Sequence, residues 1–112
     1  MELLISVLND MNHVEEVIKS FNEVGIHGAT IIDSTGMAEI LSTIEEEIPM
    51  FGSLKMFLNK GRHANKTIFT VLKHEQVDVA IDTIKDVVGD LSKPGVGIVF
   101  TIPVNRIEGV SL

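Results

Sequence analysis

The sequence contains no cysteine, and this absence excludes several kinds of chemistry. The 112-residue chain can form neither a disulfide nor a thiolate metal site, and it has no cysteine nucleophile. It also contains no tryptophan or tyrosine for stacking on bases, and its 9 Lys and Arg are outnumbered by 16 Asp and Glu. Because phosphates need cationic contacts, the net charge of −7 argues against nucleic-acid binding.

Long apolar runs are absent as well. No stretch approaches the roughly 18 to 20 residues that a membrane span needs. The first ten residues, MELLISVLND, lack the basic region and cleavage site of a secretory signal. We therefore expect a cytoplasmic protein without a membrane span, folded as a single domain over residues 1–112.

The hydrophobic pattern predicts four strands and two helices. Apolar runs at residues 2–8, 29–33, 67–72 and 98–104 are typical of strands. Val14, Val17 and Phe21 recur at helical spacing between Asp10 and Gly25, and residues 74–88 show the same period. The order strand, helix, strand, loop, strand, helix, strand predicts an α+β, ferredoxin-like βαββαβ sandwich.

The predicted strands carry apolar residues on both faces, although two helices can cover only one face of a four-stranded sheet. Leu3, Ile5 and Val7 alternate with Leu4 and Leu8 in the first strand. An uncovered apolar face marks an association surface. We therefore expect this face to be buried between subunits.

Residues 36–66 form a connection that is several times longer than the usual 4 to 6 residues or so. Its first part places Met37, Ile40, Leu41 and Ile44 at helical spacing, which predicts a helix that Pro49 ends or kinks. This helix could pack on its own assembly or dock a protein partner through residues 37–58. The loop's second part gathers five basic or histidine residues: Lys55, Lys60, Arg62, His63 and Lys66.

Several short motifs resemble the PII-type nitrogen-regulatory signalling proteins. These motifs are EVGIHGAT at 23–30, Gly36 at the start of the long loop, and KPGVG followed by IVFTIPV at 93–104. Together they cover most of the chain outside the loop. The resemblance implies a homotrimer of ferredoxin-like subunits whose long loop joins the second and third strands.

The resemblance also implies a small-molecule site in the cleft between adjacent subunits. Thr30, Gly36, Val71, Gly95 and Gly97 stand at positions similar to the family's adenine pocket, loop base and phosphate turn. An adenine nucleotide is therefore a candidate effector. Gly-x-Gly alone is weak evidence, since a tight turn requires the same residues.

The chain departs from the family pattern at most of the cationic positions. Ile98 replaces a lysine, and the arginine pair after the last strand is reduced to Arg106. A departure of another kind is Met37-Ala38, which replaces a glycine-flanked phenylalanine after the loop's first glycine. Each lost charged hydrogen bond should cost about 1.5 to 3 kcal/mol, so tight magnesium-ATP binding is not expected. Substitute cations could come from Arg62, His63, Lys66 or Lys93. Without a loop tyrosine, uridylylation there is excluded.

These features favour a regulatory protein over an enzyme. No Ser or Thr stands with His and a carboxylate in a recognisable nucleophile motif. His13, His27, His63 and His74 have no metal-ligand spacing, so the related divalent-cation-tolerance proteins, which share the trimeric architecture, are the weaker alternative. A structural trimer whose loop only seals the assembly is the other alternative.

Overall fold

The protein is described from a computed structural model, in which residues 1–44 and 65–109 can be described. Four strands are present in these ranges: β1 (Glu2–Leu8), β2 (Thr30–Ser34), β3 (Asn65–Leu72) and β4 (Gly97–Pro103). Three helices accompany them: α1 (Met11–Glu23), α2 (Met37–Ile44) and α3 (His74–Val88). The predicted strands and helices therefore form where the hydrophobic period placed them, with strand ends shifted by one or two residues.

The strands form one antiparallel sheet in the order β2-β3-β1-β4. This order splits each strand-helix-strand unit by one inserted strand, which is the ferredoxin-like arrangement predicted from the sequence. As a result, β1 and β2 finish at the end of the sheet where β3 and β4 begin. We call it the loop end, because the long connection leaves β2 and enters β3 there.

Helices α1 and α3 cover one face of the sheet and enclose the core. Leu4, Leu8, Ile68 and Leu72 are buried from the sheet side, and Phe21 is among the helix residues that pack onto them. The side chain of Asp10 caps α1 by accepting a hydrogen bond from the Asn12 backbone N–H at 2.9 Å, as expected for an N-cap aspartate. After α1, Gly25 adopts a positive φ of 88°, which turns the chain back toward β2.

The opposite face of the sheet carries no helix in the described part of the chain, and we call it the open face. Register pairs Phe100 with Ile5 and Ile5 with Phe69 across three adjacent strands. Ile98, Phe100 and Ile102 are 55%, 44% and 45% exposed. The sheet therefore presents a continuous apolar surface on this side.

The long connection begins with a helix, as predicted, and α2 covers the eight residues from Met37 to Ile44. Met37, Ile40, Leu41 and Ile44 are all exposed, so α2 presents an apolar stripe. Residues 45–64, including Pro49 and the predicted second part of the loop, lie outside the described residues. Within the described ranges, no helix has the length and apolar character of a membrane span.

Candidate functional site

A cleft of about 740 Å³ lies at the loop end of the sheet. It is bounded by the end of β1, the start of α1, the base of the long loop and the turn before β4. The residues that line it include Asn9, Asp10, His13, Gly36, Ala38, Glu39, Asn65 and Gly95. Two of the ligand positions implied by resemblance, Gly36 and Gly95, therefore lie in one cavity, although about 60 residues separate them in the sequence.

Gly95, in the turn before β4, and Gly97, the first residue of β4, have different roles. Gly95 has a positive φ of 78°, and among the described residues no atom beyond its chain neighbours lies within 4 Å of the position a Cβ would take. Its carbonyl accepts a hydrogen bond from Asn9 Nδ2 at 2.7 Å, which ties the turn to the end of β1. At Gly97, by contrast, a Cβ would lie 2.7 Å from the Val7 carbonyl oxygen. Gly97 is therefore required by strand packing, whereas Gly95 faces the cleft.

The described lining of the cleft contains no lysine or arginine. Asp10 and Glu39 contribute two carboxylates, and His13 is the one titratable base among those lining residues. Lys93 is exposed in the adjacent turn, where its backbone N–H donates to Asp90 O at 3.2 Å. A cavity with this balance offers little electrostatic stabilisation to a polyphosphate.

Lys66, a predicted substitute cation, lies at the start of β3. Its ammonium pairs with the Asp33 carboxylate on the neighbouring strand. Register places Lys66 with Ile68 and Leu72 on the helix-covered side of the sheet. The ammonium would therefore have to leave Asp33 before it could bind a phosphate in the cleft.

A chain of three polar side chains closes the base of the long loop. The Ser34 hydroxyl contacts Asn65 Oδ1 and lies 2.8 Å from Thr67 Oγ1. A hydroxyl has a single hydrogen, and Asn65 Oδ1 is the nearest acceptor to Ser34 Oγ. Ser34 therefore donates to Asn65, and Thr67 donates to Ser34. We call these three residues the loop clasp.

A second, shallower depression of about 420 Å³ lies at the opposite end of the sheet. Thr30 and Val71, the predicted adenine contacts, both line it, together with Leu3, Ala29 and Gln76. Its rim is fixed by Thr70 Oγ1, which donates to Gly28 O at 2.6 Å. We call it the far depression.

The strand ends beside the far depression are joined by a small polar cluster. Glu2 accepts hydrogen bonds from Thr101 Oγ1 at 2.8 Å and from His74 Nδ1 at 2.7 Å. The Thr101 bond, followed by the His74 bond, lowers the pKa of Glu2. This cluster connects β1, β4 and α3 at that end of the sheet.

Comparison with known protein families identifies a relationship over almost the whole chain. The family model described as "Nitrogen regulatory protein P-II" matches residues 1–111. The chain belongs to the P-II family. A search of curated proteins finds no match. Membership identifies this chain as a nitrogen-regulatory signalling protein.

The P-II positions predicted as ligand contacts fall into two groups on one protomer. Gly36, Met37, Lys93, Gly95 and Gly97 lie at the loop end. Thr30 and Val71 lie at the far depression, and Arg106 follows β4 at the same end of the sheet. Arg62 lies outside the described residues.

Sequence reasoning missed two residues of the cleft in this P-II protein. Asn9 holds the turn through the Gly95 carbonyl, and Asn65 lines the cavity beside Gly36. Neither asparagine belongs to a recognisable motif, so spacing alone offered no signal for them. As for metals, no three His, Asp or Glu side chains within residues 1–44 and 65–109 come together as a metal site.

Proposed function

We propose that this P-II protein is a homotrimer that binds a small effector, an adenine nucleotide, in each cleft between adjacent protomers. The observation that carries the proposal is the separation of the two groups of predicted contacts. Asn65 beside the loop-end cleft and Val71 in the far depression are six residues apart on β3. At roughly 3.3 Å per strand residue, they are about 20 Å apart, which is farther than a nucleoside monophosphate reaches.

A composite site follows if the far depression of one protomer meets the loop-end cleft of its neighbour. The apolar open face supports this arrangement, because burying it would bring protomers together along the same sheet whose ends carry the two half-sites. In a closed trimer every protomer contributes each half once. Three equivalent sites result.

The charge of the cleft argues for weak discrimination between nucleotides. Asp10 and Glu39 line the cavity, and its described lining contains no Lys or Arg. Each additional phosphate should therefore add little binding free energy. We expect AMP, ADP and ATP to bind within about one order of magnitude of one another, or roughly 1.4 kcal/mol. Calorimetry showing ATP favoured over AMP by about a thousandfold would contradict this. Loss of such a preference in Arg62→Ala would identify the loop as the source of the charge.

The composite site itself is tested by mixing two defective variants. Ala38 lines the loop-end cleft and Ala29 lines the far depression, and both are exposed. Ala38→Trp and Ala29→Trp should each fill their own half-site and abolish AMP binding. Trimers refolded from an equal mixture should regain about a quarter of the sites, since random assembly pairs two intact halves that often. If the mixture regains none, the two halves do not form one site.

We further propose that residues 37–58 contact a protein partner, with α2 as the described part of that surface. The exposed apolar stripe on α2 supports this, because an amphipathic helix commonly docks into a partner's groove. Limited proteolysis of the trimer separates this function from a sealing role. If the loop is protected from the protease only when AMP is present, the protein is a sensor that responds to its effector. Protection with and without AMP favours a structural trimer.

A further inference from the structure

The side-chain amide of Asn65 is held at the wall of the loop-end cleft with one end occupied. The Thr67 and Ser34 hydroxyls form a directed chain that ends on Asn65 Oδ1. The amide is oriented with Oδ1 toward Ser34, which donates to it. The other end, Nδ2, then points away from the clasp.

The nitrogen of this amide faces the loop base. A Cβ at Gly36 would lie 3.3 Å from Asn65 Nδ2, so the glycine leaves room in front of the amide. Among the described residues, none accepts a hydrogen bond from Nδ2. Within residues 1–44 and 65–109 both Nδ2 hydrogens therefore lack an acceptor, and a half-buried amide of this kind in the wall of a cleft can serve a ligand.

We propose that Asn65 is a ligand-binding residue of this cleft and donates, through Nδ2, to a phosphate oxygen of a nucleoside monophosphate. The inference rests on the proposed function. It names a neutral amide as the group that contacts the phosphate in a cleft whose described lining has no lysine or arginine. A neutral donor stabilises a singly phosphorylated ligand but adds little affinity for further phosphates. Ser34 and Thr67 act as positioning residues, because they set which end of the amide faces the ligand.

Calorimetry with AMP and adenosine on refolded, assembled protein tests the assignment. Asn65→Asp keeps an oxygen for Ser34, removes the donor and has nearly the same shape. It should weaken AMP binding by about ten- to 150-fold, the loss of a hydrogen bond to a charged group. Adenosine has no phosphate, and its affinity should change less than about threefold.

A matched control separates the lost donor from the added charge. Asn12 lines the same cleft at the start of α1, where an aspartate is well tolerated. Asn12→Asp adds the same charge to the cavity, so its loss of AMP affinity measures the effect of the charge alone, and the loss in Asn65→Asp should exceed it by about tenfold or more. Equal losses in Asn12→Asp and Asn65→Asp would overturn the donor role.

A second pair of variants tests the clasp without touching the donor. Ser34→Ala should weaken AMP binding, because the amide can then turn its oxygen toward the cleft, while Ser34→Thr keeps the hydroxyl and should restore affinity. If wild-type protein binds AMP and all Asn65 and Ser34 variants bind it equally well, this inference fails and the proposed function stands. If wild-type protein binds neither AMP nor adenosine, the proposed function and this inference both fail.

Discussion

The two faces of the sheet are built from the same strands but differ in what covers them. Leu4, whose side chain faces the helices, is fully buried, whereas the neighbouring positions Leu3 and Ile5 on the open face remain partly accessible. Both faces are apolar, so the hydrophobic effect acts on both. Helices of the same chain cover one face, and we propose that a second chain covers the other.

The largest expected effect comes from placing a charge on the open face. Phe100→Asp should abolish assembly and lower the folding yield, because a carboxylate would have to be desolvated between protomers. Val79 on the outer side of α3 provides a matched control, since it is 45% exposed and Phe100 is 44% exposed. Val79→Asp should leave the sedimentation coefficient unchanged. Loss of assembly in both variants would contradict a special role for the open face.

Truncation on the covered face should act within the protomer. Leu4→Ala removes a fully buried side chain and should lower the free energy of unfolding by about 2 to 5 kcal/mol. Denaturant titration measures this loss, which should be present in a dissociated protomer too. Leu3→Ala, one residue away on the open face, should lose stability only under conditions where the protein is assembled. A similar loss for Leu3→Ala in dissociated protein would remove the distinction between the faces.

The covered face contains one polar defect. Ser6 is fully buried in β1, and among the described residues its hydroxyl has no hydrogen-bond partner. Leaving such a group unpaired costs about 1 to 3 kcal/mol. Ser6→Ala should therefore raise the free energy of unfolding by about 1 kcal/mol in the same titration. A loss of stability would mean that the hydroxyl is paired in solution.

The smallest expected effect concerns pH. Hydrogen bonds from Thr101 and His74 lower the pKa of Glu2 in the folded protein, so the folded state binds this proton less readily than the unfolded chain. The stabilisation is present above the unfolded pKa and is lost as pH falls through the lowered folded pKa. Glu2→Gln should flatten the acid limb of the stability profile. Thr101→Val should flatten it in part, and an unchanged limb in both variants would contradict the assignment.

The strands and helices could be predicted from the sequence because burial imposes a period on the apolar residues. Val14, Val17 and Phe21 lie on the buried side of α1 as their spacing predicted. The helical start of the long loop was predicted by the same reasoning and is confirmed as far as Ile44. The pattern could not predict which face of the sheet the helices leave exposed, since the open face is as apolar in sequence as the covered one.

The site could be predicted only in outline, because its chemistry depends on pairings between distant residues. The sequence predicted Lys66 as a cation available to a phosphate, yet the register of β2 and β3 places it opposite Asp33, with which it pairs. Gly97 reads as part of a phosphate turn, yet its close approach to the Val7 carbonyl gives it a packing role. The clasp on Asn65 likewise exists only once Ser34 and Thr67 are brought beside it.

The central claim is that the open face is covered by other copies of this chain, which also complete its effector site. Sedimentation equilibrium of the wild-type protein at micromolar concentration tests it most directly. The account predicts a single species with three times the 12.3 kDa mass of one chain. A stable species of 12.3 kDa under the same conditions would contradict it.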